Sequence, residues 1–283
     1  KLLELLDALE EADTSRRAAQ IDKDGNVTLS SEIPAGKPAA EKSAEDGTGE
    51  SQPLYMSLNH VMEYYIFAYY FQPATEVRCT DIPYGEYYRT YGQLALSMQK
   101  YNGAKKAYER AIAWNPVDLD AYLGLAEVYK YQNQREKYLT VTKQAYRYCC
   151  TRATMARYYR NMAFYYLSGY EPETARACYQ YSNVYYHTEN ADSELKYISE
   201  AIQQETPQTD IRAIQKLFDE KQIEPGPDSQ TIGIVYKVGE ILLKDGDYKL
   251  AKDCYSIVYD ITQDAAAEKM LNELEAAISG SEE

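Results

Sequence analysis

The sequence has few of the side chains on which catalysis and metal binding most often depend. Among its 283 residues are only two histidines, His60 and His187, and histidine is the commonest metal ligand and a frequent acid–base group. No G-x-S-x-G, H-E-x-x-H, P-loop or dinucleotide-binding motif occurs. We therefore expect a protein that is not an enzyme, with no catalytic residue, no metal site and no cofactor.

Cysteines are also few, and their spacing does not suggest pairing. The count of five is odd, and no C-x-x-C motif occurs, which argues against both a disulfide framework and a zinc knuckle. A reducing compartment is the usual setting for such cysteines, so we expect a cytoplasmic protein. The five residues are Cys79, Cys149, Cys150, Cys178 and Cys254.

Basic charge and long apolar runs are lacking as well. Asp and Glu total 44 against 30 Lys and Arg, a formal net charge of −14, which argues against attraction to nucleic acid or to an anionic membrane. No run of 18 apolar residues occurs, and the richest stretch, 61–71, contains Glu63. We expect no nucleic-acid partner and no membrane segment in this sequence. Because residue 1 is lysine, we also expect a piece of a longer protein, in which a signal or anchor could precede it.

The N-terminal part changes character along its length. Residues 1–14 have a leucine stripe that predicts an amphipathic N-terminal helix. Residues 15–53 lack aromatics and are rich in Ala, Gly, Ser, Pro and Glu, which predicts a linker or insertion that packs poorly against the rest. Within it, 21–29 predicts a β-hairpin with Asp24-Gly25 at the turn.

Part of that hairpin also has the alternating polar residues of a calcium loop. Asp22, Asp24, Asn26 and Thr28 alternate, but the glycine is misplaced and no glutamate occupies the twelfth position. We favour the hairpin turn as the explanation of these residues.

Aromatic and small residues recur together after this region. Of the 31 tyrosines, 26 fall between Tyr55 and Tyr186. In 85–118 the order of aromatic, small and proline positions resembles the tetratricopeptide pattern W-x₂-L-G-x₂-Y…A-x₃-F…P. The matching residues are Tyr88, Tyr91, Gly92, Ala95, Ala104, Tyr108, Ala111 and Pro116.

The resemblance extends over five units in 85–262. One first-helix position and a second-helix position twelve residues later are mostly small, so that two antiparallel helices can approach closely. The second unit departs, with Tyr138 and Thr142 on its second helix, and we expect it to be looser. The first-helix positions are Gly92, Ala126, Ala163, Ala201 and Gly239; the second-helix positions are Ala104, Tyr138, Ala175, Ala213 and Ala251.

The resemblance implies an all-α fold, a right-handed α-α superhelix of tetratricopeptide-like helix pairs. Upstream, 54–73 matches the second-helix half of a partial repeat, whose partner could be helix 1–14. Residues 263–283 predict a C-terminal capping helix with a polar face.

Such superhelices bind a protein or peptide segment in their concave groove, and the resemblance places one face of each first helix there. Phe164 and Tyr236 would be apolar anchors and Arg89 and Arg160 a basic rim, which suits a segment with apolar and acidic side chains. Ile198 and Ile202 belong to this set unless the fourth unit is out of register, in which case they are core residues. The remaining members are Gln93, Leu123, Glu127, Lys130 and Glu240.

Two functions fit this expectation. The first is a protein–protein interaction scaffold with an unidentified protein or peptide partner. The alternative is a ligand- or peptide-responsive regulatory protein whose effector domain lies outside this sequence. The sequence leaves the oligomeric state open.

Overall fold

The computed structural model describes residues 1–12, 17–30 and 53–280. These residues form thirteen α-helices and four strands of three residues each, which confirms the all-α class. The chain divides into two compact units, Lys1–Lys137 and Tyr138–Glu283. The division lies inside the predicted repeat region 85–262. The path of a superhelix through all five repeats and the domain boundaries stay predictions.

The first unit combines five helices with all four strands. The division between the units falls within a sixth helix, α6 (Arg135–Tyr146). In chain order the elements before it are α1 (Leu2–Ala12), β1 (Ala19–Ile21), β2 (Val27–Leu29), β3 (Leu54–Met56), α2 (Val61–Phe71), β4 (Val77–Cys79), α3 (Tyr84–Ser97), α4 (Tyr101–Trp114) and α5 (Leu119–Tyr131).

Close approach of α3 and α4 depends on the small residues that the sequence pattern singles out. A Cβ added at Gly92 would lie 3.0 Å from the ring of Tyr108, and Ala104 is fully buried. Trp114 stacks on Tyr84 with ring centroids 4.5 Å apart, and both are fully buried. Small residues thus allow the crossing, while aromatic rings fill the space beside it.

Helix α1 packs against α3. The Tyr88 hydroxyl hydrogen-bonds the carboxylates of Glu10 at 2.6 Å and Asp7 at 3.1 Å, and Arg110 of α4 pairs with Glu10 at 3.1 Å. The partner suggested from the sequence was the helix in 54–73, but these contacts attach α1 to the first repeat instead.

The strands β1 and β2 form an antiparallel hairpin with Ala19 opposite Leu29. This hairpin begins two residues before the predicted range 21–29. It packs against α4, and Ala18, Ala19 and Leu29 are buried, so the expectation of poor packing is wrong for this part of 15–53. Residues 13–16 and 31–52 lie outside the described residues.

Backbone N–H groups of the hairpin turn account for the position of the acidic residue Asp22. The Asp22 carboxylate accepts hydrogen bonds from the backbone N–H groups of Asp24 at 2.8 Å and Asn26 at 2.9 Å. These bonds lower the pKa of Asp22, with the side-chain bond from Asn26 as the largest cause. An Asx turn of this kind needs no ion.

The region predicted as one helix over 54–73 contains a strand and a shorter helix. Strand β3 pairs with β4 in parallel, with Leu54 opposite Val77, a pairing that the sequence did not indicate. The polar residue Glu63 lies in this apolar stretch because its carboxylate caps the start of α2. The carboxylate accepts hydrogen bonds from the backbone N–H of Asn59 at 2.6 Å and from the side-chain amide of Asn115 at 2.8 Å.

The second unit contains the part of α6 that follows the division, together with seven further helices. These are α7 (Arg152–Ser168), α8 (Pro172–Tyr185), α9 (Glu189–Ile202), α10 (Ile211–Lys221), α11 (Ser229–Lys244), α12 (Tyr248–Thr262) and α13 (Ala265–Gly280).

Two close helix pairs in this unit follow the predicted register. Helices α7 and α8 pack together, as do α11 and α12. Ala163, Ala175 and Ala251 are fully buried, and a Cβ added at Gly239 would lie 3.1 Å from the Tyr255 ring. Helix α13 packs on α12, where a cap was predicted.

The fourth predicted repeat is out of register. Ala201 and Ala213, the expected crossing residues, are exposed, whereas Ile198 and Phe218 are fully buried. Helices α9 and α10 each pack against α8. Burying an isoleucine or phenylalanine removes far more apolar surface from water than burying an alanine, and this difference favours the observed register.

Candidate partner-binding surface

The residues predicted for the groove are distributed over both units. Five belong to the first unit and six to the second, so each group is described within its own unit. In the first unit they are Arg89, Gln93, Leu123, Glu127 and Lys130; in the second they are Arg160, Phe164, Ile198, Ile202, Tyr236 and Glu240.

Arg89 is committed to an internal ion pair. Its Nη1 lies 3.0 Å from each carboxylate oxygen of Asp118. Asp118 is 1% exposed and caps α5 by accepting the backbone N–H of Ala121. Burial raises the pKa of Asp118 against the opposing effect of Arg89. Arg89 thus compensates a buried carboxylate, and its placement as a rim residue is corrected.

The other residues of the first unit offer no apolar anchor. Leu123 is 2% exposed and belongs to the core, because most of the side chains of α5 are buried. Gln93 is exposed. Glu127 and Lys130 pair with each other at 3.9 Å across one helical turn.

Helix α7 carries a different arrangement. Phe164 is partly exposed and meets Tyr138 edge to face, with centroids 5.3 Å apart. Arg160, one turn earlier, has a buried Nη1 with no hydrogen-bond partner. Neither Arg160 nor Arg157 forms an ion pair with any described residue. We call Arg157, Arg160 and Phe164 the α7 surface.

The electrostatic environment of Arg160 is unfavourable for its charge. Burial, and then the nearby Arg157, lower the pKa of the Arg160 guanidinium. Desolvation and a like charge both disfavour an ionised group. The sequence pattern predicted Arg160 and Phe164 for the groove and did not include Arg157, whose position one turn before Arg160 was the available indication.

The remaining predicted residues have internal roles. Tyr236 is partly exposed and packs edge to face on Tyr255 at 5.2 Å. Glu240 pairs with Lys237 at 2.6 Å. Ile198 is fully buried, so it is a core residue, as the out-of-register alternative requires, and Ile202 is partly buried.

A second feature of this unit was missed in the sequence. Hydroxyls of Tyr159, Tyr181 and Tyr146 donate to three successive backbone carbonyls, those of Glu224 at 2.8 Å, Pro225 at 2.6 Å and Gly226 at 2.9 Å. The tyrosine doublets and the Pro-Gly-Pro segment are visible in the sequence, but their contact joins residues 44 or more positions apart.

Two other properties concern the described residues only. Within 1–12, 17–30 and 53–280, no group of three or more His, Cys, Asp or Glu side chains is arranged to hold a metal ion. In the same ranges no helix has the length and apolar character needed to cross a bilayer.

Residues 85–118 match the family model described as tetratricopeptide repeat. No curated protein sequence matches the chain. Matched helices α3 and α4 of this segment have the small-residue crossing described above. Residues 85–118 are therefore similar to a tetratricopeptide repeat, and the helix pair α3–α4 agrees with that likeness.

Solved structures similar to this chain include three with low identity. The APC/C hetero-tetramer Cut9–Hcn1 has 14% identity and a TM-score of 0.39, over 70% of this chain and 38% of that one. Pseudomonas aeruginosa PilF has 15% identity and a TM-score of 0.38, over 70% and 86%. YrrB, described as a tetratricopeptide repeat protein with an unusual peptide-binding site, has 15% identity and a TM-score of 0.35, over 69% and 92%. This chain thus spans 38% of the length of the first of these.

Proposed function

We propose that the chain is a protein–protein interaction scaffold that binds an acidic segment of its partner on the α7 surface. The observation that carries the proposal is the buried Nη1 of Arg160, which has no hydrogen-bond partner. A carboxylate of the partner would supply both the missing acceptor and the missing charge.

The energetic argument starts from the cost of Arg160 in the unbound chain. A buried donor without an acceptor costs on the order of 1–3 kcal/mol. The sequence has 44 acidic residues, yet none of the described ones pairs with Arg157 or Arg160. A charge-assisted bond from a guanidinium to a carboxylate is among the stronger hydrogen bonds, and arginine can make it with two N–H groups.

Phe164 would add an apolar contact to the proposed interaction between the partner segment and the α7 surface. Its ring is held by Tyr138 and keeps part of its surface accessible. Aromatic rings beside arginine are frequent centres of binding energy in protein interfaces. The favoured segment therefore has an apolar side chain next to an Asp or Glu.

The direct test is selection from a library of random peptides displayed on phage, with the full chain as the target. We expect enrichment of peptides in which Asp or Glu adjoins an apolar residue, and loss of their binding in Arg160→Gln. The matched control is Arg212→Gln, which removes the same charge from an exposed position of the same unit. Enrichment of basic peptides, or equal binding by both variants, would contradict the proposal.

A double variant separates binding from folding. Once a selected peptide is available, Arg160→Ala with Phe164→Ala should weaken its binding at least tenfold and leave the melting temperature nearly unchanged. Both side chains are partly exposed, so we expect losing the ring contact between Phe164 and Tyr138 to lower stability far less than losing a core residue would. Calorimetric titration and thermal unfolding measure the two effects. Unaltered affinity would place the site elsewhere.

A further inference from the structure

The segment between α10 and α11 runs across one face of the second unit. Its sequence over 222–228 is Gln-Ile-Glu-Pro-Gly-Pro-Asp, and 223–227 is neither helix nor strand. We call 222–228 the strap, and we call the three residues whose hydroxyls bind it the tyrosine face: Tyr146, Tyr159 and Tyr181.

Aromatic contacts hold the rings of this face in place. Tyr159 and Tyr181 meet edge to face at 4.9 Å. Phe218 stacks on Tyr159 at 5.6 Å and meets Tyr181 at 5.0 Å. Tyr146 meets Tyr158 at 5.0 Å. These rings fix the directions in which the hydroxyls donate, so the donors are preorganised.

The contacts to the strap are made to its backbone. Each of the three hydroxyls donates to a carbonyl oxygen, on Glu224, Pro225 and Gly226 in turn. The residues Glu224 and Pro225 are themselves exposed. The tyrosine hydroxyls therefore bind the strap through its backbone carbonyls, while the buried side chain of Ile223 anchors the start of the strap.

Proline-containing extended segments present suitable carbonyls. An extended polyproline-type backbone has no internal hydrogen bonds, so its carbonyl oxygens point outward and can accept hydrogen bonds from donors such as tyrosine hydroxyls. Aromatic-lined grooves that dock such segments are a recurrent mode of peptide recognition. The strap has two prolines flanking a glycine and lies outside helices and strands, and its chain bends at Pro225 and Gly226.

We propose that the tyrosine face is a binding site for proline-containing segments outside helices and strands, occupied in this chain by its own strap. A partner segment of the same chemistry competes with the strap for the three hydroxyls. This site is independent of the α7 surface, because it uses other residues and no charged group.

Competition with a tethered strap determines how the site behaves. A short connection gives an intramolecular ligand an effective concentration in the millimolar range. A free peptide must exceed that to bind the wild-type chain. Weakening the strap should therefore reveal a site that is masked in the wild-type protein.

The first experiment uses the strap sequence as the probe. A labelled peptide Gln-Ile-Glu-Pro-Gly-Pro-Asp-Ser is titrated into the full chain and into a full-length variant with Ile223→Ser, Pro225→Ser and Pro227→Ser. We expect the variant to bind the peptide at least tenfold more tightly than the wild type. A peptide with alanine at both proline positions should bind at least tenfold more weakly than the strap peptide.

Removal of the donors tests the assigned residues. In the strap variant, Tyr159→Phe with Tyr181→Phe should lower affinity at least tenfold, whereas Tyr186→Phe, at an exposed position, should not. A variant that has native helix content but binds no better than the wild type would overturn the proposal. Equal binding of the proline and alanine peptides would overturn it too.

The wild-type chain provides a test that does not depend on the folding of any variant. Thermolysin cleavage of the chain at the Gln222–Ile223 bond is followed with either peptide at a concentration above the millimolar effective concentration of the strap, with cleavage of the peptide itself measured separately. Displacement of the strap should at least double the cleavage rate with the proline peptide and leave it unchanged with the alanine peptide. Equal rates with both peptides would show that the strap is not displaced, and would overturn the proposal.

Discussion

At the scale of single residues, Arg89 and Arg160 were both predicted as a basic rim, but their environments in the structure differ. Arg89 pairs with the buried Asp118 at 3.0 Å, while Arg160 has a buried donor and no acceptor. The first arginine stabilises the fold of its unit, and the second is held in the fold at a cost. Substitutions of Arg89 and of Arg160 should therefore change the stability of the fold in opposite directions.

Replacing Arg89 should destabilise the fold in a pH-dependent way. In Arg89→Ala the buried Asp118 loses the group that lowers its pKa, so its folded-state pKa rises further above the unfolded value of 3.8. An ionised carboxylate is then buried without compensation at pH 7, at a cost of about 3–5 kcal/mol.

The pH dependence of that loss has a definite sign. A folded-state pKa above the unfolded value means that protonation favours the folded state, so stability is recovered as pH falls from the raised value toward 3.8. Urea unfolding of wild type and variant at pH 7 and pH 4 should show the larger difference at pH 7. A difference that is equal or larger at pH 4 would mean that Asp118 does not depend on Arg89.

Replacing Arg160 should have the opposite effect on stability. Arg160→Met keeps the length of the apolar stem and removes a guanidinium disfavoured by burial and by Arg157. We expect stability to be kept or to rise by about 1 kcal/mol, measured by urea unfolding, while binding of an acid-rich peptide is lost. A clear loss of stability would mean that Arg160 has a structural role.

At the scale of helices, tetratricopeptide packing depends on where a Cβ can be accommodated. A Cβ at Gly124 would lie 2.3 Å from the Tyr108 ring, and one at Gly92 would lie 3.0 Å from it. The same ring therefore fills the space beside both glycines, which is why α3, α4 and α5 pack so closely.

Glycine substitutions test this packing with an internal control. Gly124→Ala should lower the free energy of unfolding by about 1–3 kcal/mol through overpacking, with a smaller loss for Gly92→Ala. Gly233 of α11 has no atom within 4 Å of an added Cβ, so Gly233→Ala should stabilise by roughly 0.8–1 kcal/mol. Thermal or urea unfolding measures the stability of the three variants. A Gly124→Ala variant as stable as the wild type would contradict the packing argument.

At the scale of the whole molecule, the dominant property is a formal charge of −14. An acidic partner approaches against this charge and is attracted locally by Arg157 and Arg160. Salt screens exposed charges over a distance of about 10 Å, whereas partly buried pairs are screened less.

This balance predicts an unusual salt dependence. For an acid-rich peptide selected by the chain, the association rate should stay constant or rise between about 50 and 300 mM salt, because salt screens the overall repulsion. Stopped-flow fluorescence measures this rate, with a neutral peptide of equal length as the control. A several-fold fall in the association rate would contradict this prediction. It would show that attraction to Arg157 and Arg160 outweighs the repulsion by the net negative charge during the approach.

Local spacing in the sequence was sufficient to predict the close crossings of the helix pairs α3–α4, α7–α8 and α11–α12. The positions of Gly92, Ala104, Ala163, Ala175 and Ala251 indicated close crossings, and all five are buried. Such positions are predictable because the helical period places residues on faces, and only small residues permit close approach. Five cysteines without a pairing pattern are likewise free thiols in the structure.

Only the tertiary structure decided the contacts between distant segments. The parallel pairing of β3 with β4, the attachment of α1 to Tyr88 and the ion pair of Arg89 with Asp118 each join residues well separated in sequence. The fourth repeat shows the limit most clearly, because Ala201 and Ala213 fit the periodic pattern but are exposed. Phe218 instead packs between Tyr159 and Tyr181, and the larger apolar surface that this buries outweighs local periodicity.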